Sequence, residues 1–342
     1  MVFIAKDPKN AEVLFPYLNG DDLNSDPEQK TSRWVINFFD WPLDRVADGS
    51  WITANEQRKN EYLKNGHVPT DYSGRVVSDF PDLLEWITVK VKPEREEKSA
   101  QHSYRNIMSM WWKHWNMRQG LYSAIGYENK FANKLSRFYN QHKSYSKILV
   151  VARVSKTVAF TFVSAKTVFS DVVVVFTTDC YKKFAIMQSC FHIAYAWQHS
   201  SKMKTDLRYS PTDVFETFPF PCDHKVQDSL DGLAETFYLL RKKVMSEKVI
   251  GLTKFYKLYN DAKNNSTDIM QARSLQKQID EAVRDAYGWN DIDLEHGFHA
   301  VSHLPDNDNI RYTISEPARI EILRRLAQLN RQRWQEEQEA KK

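Results

Sequence analysis

Three β-branched runs crowd one stretch of the chain: KILVVAR (147–153), TVAFTFV (157–163) and DVVVVFTT (171–178). Such residues fit a pleated, half-buried surface, and the short Ser-Lys and Ser-Ala-Lys links between the runs suit turns. This part of the chain is therefore confined to a sheet. In the second run Val158, Phe160 and Phe162 alternate with Thr157, Ala159 and Thr161, the period of a half-buried strand. The third run is nearly all valine and is expected at the centre of the sheet. Residues 181–198 then read as a buried helix, with Phe184, Met187, Phe191, Ala194 and Tyr195 at helical spacing. From about residue 226 the pattern is helical. Leu233, Phe237, Leu240 and Val244 form one stripe, and residues 268–287 form another that stops before Gly288. Between that helix and the next, WNDIDLEHGFHAVSHLPDNDN reads as a loop and Arg311–Ile314 as extended. Ser315 caps a last helix with Pro317 in its first turn and Ile320, Leu323, Leu326, Ala327 and Trp334 on one face. A sheet-bearing middle followed by helices is an α+β chain: a mixed-sheet domain, then a mostly α-helical C-terminal region.

Upstream, PYLNGDDLN carries an Asn-Gly turn signal, and RWVINFFDWP is an aromatic-rich strand that stops at Pro42. Residues 45–78 are polar, with Gly49, Gly66, Gly74 and few aliphatics, and read as an inserted loop. PDLLEWITVKVKPEREEKSA opens as helix and becomes charged, and residues 104–140 are expected to form helices around a Trp cluster. At 342 residues the chain has the length of two or three domains. The expected division is 1–100 with its insertion at 45–78, a core at 101–222, and the helical region 226–342.

Several function classes are excluded by what is missing. The ten glycines are sparse, and the closest two, Gly120 and Gly126, stand six apart, so neither a G-x-G fingerprint nor a P-loop can be written. The twelve prolines include no Pro-Pro pair, so an Asn-Pro-Pro-aromatic methyltransferase motif is absent as well. No apolar run approaches the ~18 residues of a membrane span, and MVFIAKDPKN has no signal-peptide core. The three cysteines are odd in number and read as reduced thiols, so the expected compartment is the cytoplasm.

The net charge of +4 is unevenly spread. Residues 98–156 hold eleven Lys and Arg against one acid, Glu128, a local charge of +10 that leaves −6 for the rest. Ten aromatics share that stretch, among them Trp111, Trp112 and Trp115. Cations neutralise phosphates and flat rings stack on bases, so basic residues interleaved with aromatics are what a nucleic-acid surface needs. The competing reading is a solvated basic face over an aromatic core.

Other constellations carry less. His296, His299 and His303 have neither paired cysteines nor helical spacing, and a packing or turn role outweighs zinc. Cys222-Asp-His224 reads as a chance pairing. Asp291, Asp293 and Glu295 alternate as calcium ligands do, but the sixth position of such a loop is His296 and the twelfth is Ser302. Asp21 or Asp22 with Glu28 and Lys30 has the lettering of a nuclease site, but Pro27 would break the strand that must carry Glu28. The strongest local feature is Lys202-Met-Lys204-Thr-Asp206-Leu-Arg208-Tyr209. Lysine donates to guanine N7 and O6 and aspartate accepts from cytosine N4, so Lys204 and Asp206 together suit a G·C pair. Against this stands a salt-bridged surface loop.

FPYLNGDDLN with RWVINFFDWP, VKPERE, the Trp111-Trp112 pair, ARVSK, VFSDVVVVF and above all KTDLRYSPTDVFETFPFP resemble one family, as do GLTKFYKLYND, IDEAVRDAYGWNDIDLEHGFH and YTISEPARIEILRRLAQLNRQRW. It is the C-terminal half of MmeI-like type IIG/IIL restriction–modification enzymes and their adenine-methyltransferase relatives in phage defence. The resemblance covers nearly the whole chain except residues 45–78. It implies the target-recognition part alone, because the family's S-adenosylmethionine and catalytic motifs precede this region. Under it, Lys204 and Asp206 read bases, and Trp111, Trp112, Lys113, Arg118, Arg153, Ser155, Lys156, Lys202, Arg208 and Tyr209 contact DNA, with Arg208 and Tyr209 open to a structural role instead. It further implies double-stranded DNA as ligand, no cofactor on this chain, and a methyltransferase chain or domain that supplies S-adenosylmethionine and flips the target adenine. Two other readings remain at this level: an inactive remnant or docking protein of such a system, and an autonomous nuclease.

Overall fold

The computed structural model describes residues 2–127, 130–132, 144–222 and 228–341. Glu128, Lys134, Arg137, Lys143, His224 and most of the stretch expected as helix after Phe131 fall outside them. The fold is α+β. The chain divides into two compact units, the first built from residues 1–16, 33–146 and 165–168 and the second from 17–32, 147–164 and 169–342.

The first unit is aromatic. Helix Pro81–Lys90 begins with Pro81 at its first position, where the missing N–H is no loss. Helix Lys92–Ser99 follows after Val91, with Pro93 in its first turn. Trp41 stacks on Phe80 at 5.9 Å between ring centroids. Residues 45–78 are not a bare loop. Helix Glu56–Asn65, started by the Asn55 side chain and stopped by Gly66 at φ 81°, packs on a small core of Tyr62, Val68, Tyr72 and Val76. Asp71 accepts from the backbone N–H groups of Trp51 and Ile52, and Arg45 grips Asp79 with both terminal nitrogens. Two tyrosines supply half of this core beside two valines, which is why a count of aliphatics reads it as loop. The described part of 104–140 is made of short turns, His102–Tyr104, Ile107–Met110, Gln119–Tyr122 and Ser123–Tyr127, not long helices. Gly126 at φ 104° interrupts the last of them.

The second unit holds the predicted sheet, in the order Thr161–Ser164, Lys147–Ala152, Val173–Phe176, all antiparallel. Leu149 stands opposite Phe162 on one side and Phe176 on the other. The valine-rich third run is thus an edge strand, not the central one. Its composition reports burial, which Val173, Val174 and Phe176 all have, rather than a pairing partner on each side. The expected helix 181–198 is two, Tyr181–Gln188 and Cys190–His199, because Ser189 adopts extended backbone between them. The Asn-Gly pair at 19–20 is a helix start, with the Asn19 side chain accepting from the Asp22 N–H. Helices Ser229–Lys248, Leu252–Tyr259, Thr267–Tyr287 and Glu316–Ala340 complete the unit, the last capped by Ser315 as expected. The extended Ile310–Thr313 has a partner in Gly297–Ala300, a hairpin within the stretch read as loop. No described helix is long and apolar enough to cross a membrane.

Candidate nucleic-acid interface

The segment 202–209 is a β-hairpin rather than a loop. Ser201–Met203 pairs antiparallel with Asp206–Arg208, and Val154–Ser155 pairs with the other edge of Asp206–Arg208. A further backbone bond, from Tyr209 N–H to the Arg153 carbonyl at 2.7 Å, continues the ladder. The structure therefore brings Arg153, Ser155, Lys156, Lys202, Lys204, Asp206, Arg208 and Tyr209 onto one small sheet. The turn is Lys204-Thr205, with neither glycine nor asparagine to announce it. Lys204 sits at φ 57°, in the left-handed region that costs an L-residue energy. A strained residue at the exposed tip of a hairpin is the kind of outlier that function retains.

Strand alternation divides the motif into two faces. Leu207 and Tyr209 point into the core, while Asp206 and Arg208 point away from it, Arg208 to solvent. Cross-strand pairing puts Met203, which is 49% exposed, on the outward face opposite Asp206. Lys202 pairs with Leu207 on the other face, and its charge acts on His303. The two lysines are therefore not equivalent: Lys202 edges the inner face, and Lys204 lies exposed in the turn beyond the paired strands. Met203 was missed by sequence reasoning, and only the hairpin register could have found it.

The salt-bridged loop does not form. Among the described residues Lys202, Lys204 and Arg208 make no ion pair, and Asp206 is met only by the Thr205 hydroxyl at 3.4 Å. The outward face keeps Asp206 and Arg208, and the turn Lys204, available to a ligand. Residues on the neighbouring strand are more engaged. Arg153 Nε donates to the Asp171 carbonyl at 2.7 Å, Ser155 Oγ accepts from the Thr157 N–H at 3.0 Å, and Lys156 Nζ lies 3.6 Å from Asp308.

The rest of the motif anchors the hairpin. Tyr209 is fully buried and donates its hydroxyl to His192 Nε2 at 3.2 Å, while His192 Nδ1–H donates to the Met187 carbonyl. Ser210 Oγ donates to Asp213, and Val214 and Phe218 are buried. Tyr209 thus takes the structural role, because its ring is enclosed by Phe160 and Phe176. Burial pushes the His192 imidazole down to about 3, and burial together with Arg319, Lys202 and Arg311 pushes His303 down to about 4. The unfolded chain takes up these protons below its ordinary pKa of about 6.5, and the folded chain only far lower. Stability is therefore full above about pH 6.5 and falls on acidification, by at most about 1.4 kcal/mol per pH unit for each group. Urea unfolding at stepped pH checks this. His192→Gln is expected to flatten the slope, and an unchanged slope would contradict the assignment.

Trp111, Trp112, Lys113 and Arg118 lie in the first unit. Trp111 and Trp112 are buried, and Trp112 Nε1 donates to the Trp41 carbonyl at 2.9 Å with its ring tight against Gly66. Lys113 is buried over the Trp112 ring, and burial lowers its pKa. These three are core residues, since two adjacent indoles carry more apolar surface than solvent exposure favours. Exposed side chains of this region include Arg105, Arg118, Tyr104 and Trp115, the last 46% exposed and edge-on to Tyr104.

The remaining candidates disperse. His296 Nε2 meets Asp280, His299 Nε2 donates to the Glu295 carbonyl, and His303 stacks on Trp197. Asp291 pairs with Arg325, and Glu28 with Lys30. Among the described residues no cluster of His, Cys, Asp and Glu could hold a metal ion.

Residues 94–222, which include the hairpin and the strands before it, match the family model described as MmeI, target recognition domain. A solved structure of the type IIL restriction-modification enzyme MmeI in complex with DNA shares the fold, with a TM-score of 0.55 and 16% sequence identity. The match covers 97% of this chain and 33% of that one, so the chain spans about one third of that enzyme's length. No curated protein matches.

Proposed function

We propose that this chain reads the target sequence in double-stranded DNA for an adenine-N6 methyltransferase of a restriction–modification system. The observation that carries the reading is the hairpin tip: Lys204 in a strained turn beside outward-facing Asp206 and Arg208, with Lys204 and Arg208 without an ion pair among the described residues and the strands anchored by buried Leu207 and Tyr209. Base readout needs donors and acceptors held at fixed spacing on a rigid element, and this arrangement supplies them. The outward Met203 adds an apolar contact of the kind that meets a thymine methyl group. Arg118 and Lys156, both exposed, serve as phosphate contacts. The match of residues 94–222 to the MmeI target recognition domain model supports the same reading.

The methyl donor and the chemistry are assigned to a partner chain or domain. S-adenosylmethionine sites of this enzyme class need a glycine-rich turn after a strand, and this sequence has no two glycines closer than six apart. The partner would flip the target adenine from the stack while this chain sets the register. The test is the base-pair dependence of DNA binding by Lys204→Ala. Loss of discrimination at one base pair supports base reading. An equal loss on every sequence makes Lys204 a phosphate contact.

A further inference from the structure

The first unit carries an open groove that base reading by the hairpin leaves unused. Its space is about 680 Å³, within the roughly 300–1,000 Å³ of small-molecule sites. Residues 106–115 make one side of it, and residues 43 and 64–67 the other. The first side lies inside the segment that matches the target recognition domain model, and the second draws on the segment 45–78, outside that match. Lys64, Lys113 and His67 line the groove, and among the described residues no acid does. Asp44 meets His67 Nδ1 at 2.7 Å from outside the lining. Lys113 is 8% exposed. Its ammonium lies 5.2 Å from the centre of the Trp112 ring and, among the described residues, makes no hydrogen bond and no ion pair, although Asp40 attracts it from a distance. The nitrogen is not sealed in: unlike the orphaned polar atoms of the core, it keeps some accessible surface. A buried cation without an anion is costly, so an anion entering the groove would meet an ammonium that lacks one.

Trp111, Trp112 and Trp115 supply the aromatic surface. Lys92 stands over the Trp111 ring at 5.3 Å and Lys113 over that of Trp112, whereas among the described residues no cation covers Trp115, the most exposed of the three. An exposed indole beside lysines without anions suits a flat ring that carries a phosphate. Bases stack on aromatic side chains whatever their sequence, and cations follow the phosphates between them. A duplex presents base edges and keeps the faces in its stack, so stacking on Trp115 needs a base that is not paired. We propose that this groove holds an unpaired nucleotide of a DNA strand, with its base on Trp115 and its phosphates on Lys113 and Lys64. Unpaired-strand binding here does not require the hairpin to read base edges.

Fluorescence anisotropy of a labelled oligothymidylate of about ten nucleotides, titrated with the full chain at low salt, tests the site. Trp115→Ala and Lys113→Met should each weaken binding tenfold or more, and Lys64→Ala severalfold. Lys204→Ala should leave it unchanged, whether or not Lys204 reads duplex DNA. Trp115→Ala alters an exposed side chain and should melt like the parent, so the test stands even where Lys113→Met fails to fold. No binding of the oligonucleotide, or equal binding by Trp115→Ala, overturns the proposal. Displacement of the label by oligoglutamate as readily as by unlabelled oligothymidylate also overturns it, and gives the groove to an acidic protein segment. A duplex of the same length that competes better than the single strand overturns it too, and makes the lysines contacts to paired DNA.

Discussion

Arg241→Ala should destabilise the second unit by about 3–5 kcal/mol, the range for truncating a large buried side chain and stranding its hydrogen-bond partners. Arg241 is fully buried on helix Ser229–Lys248. Its Nη2 donates to the Phe160 carbonyl at 2.6 Å and its Nη1 to the Tyr256 hydroxyl at 3.0 Å. The guanidinium lies 5.5 Å from the Phe184 ring centroid and 5.7 Å from those of Phe237 and Tyr238. The charge is thus held by aromatic faces and polarised oxygens instead of a carboxylate. Phe160 immediately precedes the strand Thr161–Ser164, so this one side chain ties the helices of the unit to its sheet. Removing it leaves a cavity and strands a buried carbonyl. Arg241→Met restores volume but not the donors, and should fall between wild type and alanine. Urea denaturation followed by circular dichroism measures both. A loss below about 1 kcal/mol for alanine, the level of an exposed pair, would contradict this role.

Lys204→Ala is expected to reduce discrimination at one base pair by about 1–3 kcal/mol, with less effect on overall binding. Asp206→Ala should do the same at the same or the adjacent pair, because Asp206 opens the strand that directly follows the Lys204-Thr205 turn. Lys204→Gly separates reading from folding. It removes the cation and also relieves the φ of 57°, so it should raise stability by up to about 1–2 kcal/mol while losing the same discrimination as alanine. Competition binding against every single-base variant of a bound duplex, with thermal unfolding alongside, gives both numbers. A Lys204→Gly protein that reads DNA as the wild type does would remove Lys204 from the readout.

The strands at 147–176 were legible because alternation and β-branching report burial directly, and the C-terminal helices because long stripes and caps such as Ser315 carry their own boundaries. Sheet order was not legible. Val173–Phe176 is buried by packing on its faces, and composition cannot distinguish that from pairing on both edges. Position in the site was readable only in part. The motif KTDLRY fell on an exposed hairpin, but its turn residues Lys204-Thr205 carry no turn signature, so the hairpin and the outward Met203 stayed hidden. The Trp111-Trp112 pair misled for a different reason: a ring can stack on a base or fill a core, and only tertiary contacts such as Trp112 with Trp41 decide which. The polar segment 45–78 misled because Tyr62 and Tyr72, with Trp51 packed against them, share its small core with only Val68 and Val76.

Selection of bound molecules from a random pool of duplex DNA tests the central claim most directly. The wild-type chain, alone or with whatever methyltransferase it binds, should enrich one sequence motif. Lys204→Ala and Asp206→Ala should enrich the same motif with one position relaxed. A pool that stays random, or a motif identical in all three proteins, would show that this hairpin does not read DNA sequence.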